Sequence, residues 1–281
     1  MSVDLPYFDF VLRELEAKNP AVELAFGRHV HWGYWPDPSK ADQSAEDYAR
    51  AAEALSQQVY GAAQIENGQH ILDVGCGFGG TVASLNENFT GLNLVGVNID
   101  ARQVERARQK VSALASNKIE FKVGDACQLP IADAAFDRVL AVECIFHFPS
   151  RSQFFAEAFR VLKPGGYLAL SDLPPAAWYA PFARIGARSK ALRKFFGQCQ
   201  IATIGEYRKL ARDSGFAFTL QKDITANTIP TYAFLHALEA RMRGKPETKG
   251  DFATRGLQFV SRLGMVRYQV LVFQKPASGP G

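Results

Sequence analysis

The chain has little of what marks several large protein classes. Its 281 residues include only four cysteines, Cys76, Cys127, Cys144 and Cys199, with no C-x-x-C pair. Neither a zinc knuckle nor a disulfide framework is therefore expected, and a reducing, cytoplasmic setting fits. No charge-free apolar run reaches the roughly 18 residues of a membrane span, and the first twenty residues lack a basic stretch followed by an apolar one. No export signal and no transmembrane helix are expected. A large excess of one charge is absent too: a formal net charge of +4 gives no sign of a basic nucleic-acid stripe, so no nucleic-acid partner is expected. There is no internal repeat, and only the tail, residues 277–281, reads as flexible.

What is present is alternation. The short β-rich runs HILDV, LVGVN, IEFKV, DRVLAV and YLALS are separated by polar or amphipathic segments of helical length. That order predicts an α/β fold, a parallel sheet with helices on both faces. Two further runs, AFTLQKDIT and YQVLVFQK, flank a helical insertion that reaches about Gly264 and predict a closing antiparallel pair. Ser44 with Asp47, and Ser150 with Gln153, read as capping boxes; Lys163-Pro164-Gly165-Gly166 reads as the stop of the second helix. Residues 1–63 read as a helical cap that cannot stand alone. Residues 64–276 read as the core, with lid segments at about 176–200 and 226–264.

The stretch LDVGCGFGG, residues 72–80, is a glycine-rich turn after an apolar strand. Its spacing fits the G-x-G-x-x-G turn of dinucleotide folds through Gly75, Gly77 and Gly80, and equally an acidic-x-G-x-G-x-G turn through Asp73. Chemistry separates the two. A carboxylate at Asp73 repels a pyrophosphate but attracts the ammonium and sulfonium of S-adenosylmethionine. At the end of the second strand, GVNIDARQ offers Asn98 and Gln103 to ribose hydroxyls, amides where a carboxylate is common. After the third, Gly124-Asp125-Ala126 places a carboxylate acceptor where an adenine amino group is read; a dinucleotide reading expects nothing there.

Together DVGCGFGG, GVNID, GDACQLPIADAAFDRV, ECIFHF and RVLKPGGYLALSD resemble the class I S-adenosylmethionine-dependent methyltransferases. Within them they resemble the small-molecule branch of ubiquinone/menaquinone, tocopherol and sugar or natural-product O-methyltransferases. The resemblance implies a Rossmann-like fold with a seven-stranded, mostly parallel sheet, S-adenosyl-L-methionine as cofactor and S-adenosyl-L-homocysteine as product. The donor would be held by Asp73, Gly75, Gly77, Asn98, Gln103, Asp125 and Ala126. The segment HVHWGYWPD, residues 29–37, resembles the H-x-G-Y/F-W/Y segment of that branch, which implies Tyr34 and Trp35 as an aromatic lid over the donor. Packing of the cap by Trp32, Tyr34 and Trp35 is the equal alternative.

His147 in ECIFHF and Asp172 in ALSD follow adjacent strands, where a carboxylate could fix an imidazole's tautomer and raise its basicity. Resemblance to the sugar O-methyltransferases implies His147 as base and Asp172 as its partner, although Phe146 stands where that branch often carries a second histidine. Glu143 is counted with the donor-binding residues as a second polar contact of the pocket, with orientation of the loop as the alternative. His29 and His31, beside the aromatic motif, are within reach of substrate but read first as packing residues, and His70 reads as irrelevant; no His/Asp/Glu spacing suggests a metal. The basic amphipathic segment 178–197, with Arg184, Arg188, Lys190, Arg193 and Lys194, leaves three readings open: a solvated lid, a clamp for an anionic substrate, or weak contact with a membrane surface. Tyr232, Phe234 and Leu235 are candidate walls of the pocket. The expected function is methyl transfer to a small, apolar or aromatic acceptor, at oxygen before carbon or nitrogen. C- or N-methylation of a quinol, prenyl or amine acceptor, and a silent donor-binding protein, are the alternatives. Acceptor identity and oligomeric state are not legible.

Overall fold

A computed structural model describes residues 6–190, 192–193, 197–243 and 249–277. Lys194 and most of the tail 277–281 lie outside the described residues. Seven strands form one sheet in the order β3-β2-β1-β4-β5-β7-β6: β1 His70–Val74, β2 Asn93–Asn98, β3 Lys118–Val123, β4 Phe136–Ala141, β5 Leu162–Asp172, β6 Ala217–Asp223 and β7 Gln269–Gln274. The first five are parallel, and β7 inserts antiparallel between β5 and β6. This is the α/β architecture that the alternating runs predict, in the seven-stranded, mostly parallel form that the resemblance implies.

Side chains alternate across the strands and feed two cores. Leu72 and Val74 face one layer, built on α6 (Arg151–Val161) and α8 (Ile204–Ser214). Ile71 faces the other, with α3 (Ala45–Ala62), α4 (Gly80–Asn88) and α5 (Ala101–Lys110). A third cluster joins α1 (Pro6–Glu16) and α2 (Pro20–Phe26) to Tyr48, to Phe78 of the glycine-rich turn and to Phe234 of α9 (Pro230–Arg243). α7 (Ala180–Ala187) and α10 (Lys249–Arg262) complete the helices used below.

Two local expectations change. Lys163-Pro164-Gly165-Gly166 lies inside β5, because Gly165 and Gly166 pair with the far end of the chain through Lys275. Ser44 caps α3 by accepting from the Asp47 N–H, but the Asp47 carboxylate takes the Trp35 indole N–H at 2.7 Å instead of closing the box. Ser150 caps α6 by accepting from the Gln153 N–H.

Candidate active site

The carboxyl ends of β1 to β4 open onto a shared cavity. Gly75, Gly77 and Gly80 bring bare backbone to its edge. Gly75 has φ +75°, and a Cβ there would sit 2.7 Å from Cys144 Cβ and Sγ. A Cβ on Gly80 would stand 2.4 Å from His29 Nδ1. Neither position accepts a side chain.

Asp73, next to the last residue of β1, is 2% exposed and lines the cavity, and its Oδ2 has no hydrogen-bond partner among the described residues. Burial pushes its pKa up to about 7. A buried carboxylate left in this state is completed by a cation that donates to it. Asn98 and Gln103 also line the cavity, the Asn98 amide donating to Gln103 Oε1 at 3.0 Å. The nearby Asp100 caps α5 and pairs with Arg102 instead. Asp125 and Ala126 line the same wall, and Asp125 Oδ1 accepts the Cys127 N–H at 2.8 Å.

Opposite them stand Glu143 and His147. Glu143, at φ +50°, accepts the Trp32 N–H at 3.0 Å and the Tyr268 hydroxyl at 2.5 Å. Burial nevertheless raises its pKa to about 8, aided by the charge of Asp172. His147 ends a short 3-10 turn, Ile145–His147, after β4. Its Nδ1 faces the Gln198 carbonyl at 3.4 Å and its Nε2 the Tyr7 hydroxyl at 3.2 Å. A carbonyl only accepts, so Nδ1 carries the proton and Nε2 accepts from Tyr7. Burial lowers the ring's pKa to about 4, which leaves a neutral imidazole whose basic lone pair at Nε2 faces the Tyr7 hydroxyl.

The expected His147–Asp172 pair is not formed. Asp172 is 3% exposed and gives its carboxylate to Arg151 at 2.9 Å and to the Tyr207 hydroxyl, so it anchors α6 and α8 to the end of β5. Tyr34 and Trp35 are likewise not on the cavity wall: Trp35 is buried on Tyr48 in the cap, and Tyr34 packs beside the second core. Tyr232 and Phe234 are buried, the first bonded to Ser261 and the second stacked on Tyr48, and Leu235 packs in the cap cluster. None of the three lines the cavity.

Other residues of the cavity wall and of its support escape sequence reasoning. Tyr7 and Phe8 of α1 reach the cavity from a helix that reads only as amphipathic cap. Arg151 and Tyr207 lie 21 and 35 residues from Asp172, with no local signal of the contact. His29 and His31, read as packing residues, both line the cavity. His31 Nε2 lies 3.1 Å from His29 Nδ1, and His29 Nε2 is 2.8 Å from Glu53. Burial holds His31 down at about 3, while hydrogen bonds from His29 and Ser84 overcome burial and hold Glu53 at about 2. Their only sequence signal is the H-x-H pattern itself.

Comparison with known proteins matches residues 72–170 to a methyltransferase domain family. Methyltransferase GfsG of Streptomyces halstedii is 34% identical over 235 residues, 80% of either chain. The 27-O-demethylrifamycin SV methyltransferase of Amycolatopsis mediterranei is 31% identical over 216 residues, 75% of either chain. Among solved structures, geranyl diphosphate C-methyltransferase from Streptomyces coelicolor, in complex with Mg2+, geranyl diphosphate and S-adenosyl-L-homocysteine, superposes with a TM-score of 0.73 at 18% identity. That match covers 98% of this chain and 100% of that one.

Proposed function

This chain belongs to the class I S-adenosylmethionine-dependent methyltransferases, and we propose that it methylates a hydroxyl of a small apolar or aromatic natural product, with His147 as general base. The cofactor supplies an electrophilic methyl group on a sulfonium. The residues fit it: Asp73, buried and lacking a donor at Oδ2, suits the ammonium of the methionyl end. Asn98 and Gln103 would take the ribose hydroxyls and Asp125 the adenine amino group, and Glu143 would add negative charge near the sulfonium once ionised.

One observation carries the choice of oxygen: a hydroxyl already donates to His147 Nε2, that of Tyr7. An acceptor hydroxyl that displaces Tyr7 would meet the same lone pair. A methylated hydroxyl must lose one proton. At a pKa of about 4 the ring is unprotonated across neutral pH, and a weak base suffices because the acceptor's O–H becomes strongly acidic as its oxygen bonds carbon. Gln198 would hold Nδ1–H and so keep the ring's tautomer, the task first expected of Asp172. The rifamycin relative, a 27-O-demethylrifamycin SV methyltransferase, supports the same reading.

The test is incubation with trideuteromethyl S-adenosylmethionine and a panel of phenols, macrocyclic alcohols, glycosides, quinols and amines, read by mass spectrometry with fragmentation. Label on oxygen is the expected result. Label on carbon or nitrogen would transfer the chain to the alternative reading.

A further inference from the structure

We propose that the face formed by α7 and the end of α10 rests on an anionic lipid surface. Trp178, Phe182 and Ile185 recur at helical spacing and are 64%, 62% and 70% exposed, and Phe259 and Leu263 are 64% and 54% exposed. These are five of the nine large hydrophobic side chains exposed among the described residues. The two segments that carry them are joined by three backbone contacts: the Ala176 N–H donates to the Met265 carbonyl at 2.8 Å, the Arg267 N–H to the Pro174 carbonyl at 3.1 Å, and Pro175 bridges Val266. Five exposed large apolar residues on two joined segments are unlike scattered surface leucines.

The charge beside the patch selects its occupant. From Leu173 to Gly205 the sequence has no Asp or Glu, and from Phe252 to its end it has none either. Arg188, Lys190, Arg193 and Arg262 are exposed there. Arg184 pairs with Glu206 and Arg267 with Asp223, the carboxylates that reach this side from α8 and β6. An apolar stripe with tryptophan and phenylalanine, flanked by cations with no ion-pair partner among the described residues, is the composition of an interfacial helix on anionic headgroups. A substrate-wall role does not fit, because none of the five apolar residues, nor any of Arg184, Arg188, Lys190 and Arg193, lines the cavity. The same segment does reach the site further on: Gln198 faces His147, and the Gln200 N–H donates to the Phe146 carbonyl at 2.7 Å. A bilayer under α7 would thus lie next to the catalytic wall and present an apolar acceptor to it.

The test is co-sedimentation of the full chain with phosphatidylcholine vesicles and with phosphatidylcholine/phosphatidylglycerol vesicles. It reads binding without turnover and so stands or falls apart from the position of methylation. Binding to the anionic vesicles, at least about tenfold weaker to neutral ones and weakened by about 1 M salt, is expected. Trp178 emission should shift to the blue on those vesicles, since Trp32 and Trp35 are already buried. The triple variant Trp178→Ser, Phe182→Ser, Ile185→Ser should lose about tenfold or more in vesicle affinity, with S-adenosylhomocysteine binding and Tm unchanged as proof of folding. Failure of the wild type to bind anionic vesicles would overturn the proposal, as would equal binding to neutral ones or undiminished binding by the variant. So would a wild-type dimer that the triple variant converts to monomer, since a second copy would then cover the patch.

Discussion

Donor affinity should depend on pH through Asp73, and the direction and size follow from its burial. With a pKa of about 7 in the free protein, Asp73 is about nine-tenths protonated at pH 6 and ninety-nine-hundredths at pH 5. Pairing with an ammonium requires the ionised form, so affinity should fall about tenfold per pH unit below 7 and level off above 8. Glu143, at about 8, steepens the slope if it ionises beside the sulfonium. His31, at about 3, stays neutral throughout this window. Stability is linked with the opposite sign. Both folded pKa values lie above the usual carboxylate values, so the unfolded chain ionises first, and the free protein loses stability as pH rises from about 4 through 7 and 8. For Asp73 the shift of about three units corresponds to about 4 kcal/mol. Calorimetric titration with S-adenosylhomocysteine at pH 5.5 to 8, in buffers of different ionisation enthalpy, reads affinity and released protons together, and a thermal scan reads stabilisation, expected to be larger at pH 8 than at pH 6. Asp73→Asn should bind about 10- to 100-fold more weakly at pH 8, the loss of a charge-assisted bond, and most of the pH slope should vanish. A flat wild-type profile with no proton release, or an Asp73→Asn variant that binds like wild type at pH 8, would refute the reasoning.

If the acceptor hydroxyl takes the place of the Tyr7 hydroxyl at His147 Nε2, as proposed, Tyr7→Phe should keep turnover within a few-fold; a steady-state kcat checks this. Asp172→Asn should lower Tm by several degrees in a thermal melt, since it leaves Arg151 buried without its counter-charge, a loss of about 3 kcal/mol or more. Donor affinity should be retained in the folded fraction. Gly75→Ala should weaken donor binding and lower Tm, because its Cβ meets Cys144 at 2.7 Å on a backbone of positive φ; calorimetry and a melt read both.

That these residues share one cavity was legible because the pattern is local: Asp73, Asn98 and Asp125 lie at or just past the carboxyl ends of β1, β2 and β3, the glycines in the turn after β1 and Gln103 in the first turn of α5, and strand ends can be counted in an alternating sequence. The sheet was legible for the same reason. Failures came where contacts span the chain. Asp172 follows the strand next to His147, which suggested a pair, yet α6 and α8 bring Arg151 and Tyr207 to it, and a buried guanidinium competes better for a carboxylate than a neutral ring does. Trp35 carries an aromatic motif, but Asp47 from the first turn of α3 takes its indole N–H and turns it into the cap. Tyr7, 140 residues before His147, gives no sign of its role. The H-x-H pair hid for another reason: two histidines beside tryptophan look alike whether they line a cavity or fill a core.

The central claim is that His147 accepts the acceptor's proton while methyl goes to oxygen. The most direct measurement is the single-turnover rate of labelled-methyl transfer at saturating donor, for wild type and His147→Asn, on the acceptor found in the panel. A rate about 10²- to 10⁴-fold lower in the variant, with unchanged S-adenosylhomocysteine affinity and the wild-type product labelled on oxygen, is the predicted result. An undiminished rate in His147→Asn, or a product labelled on carbon, would contradict it.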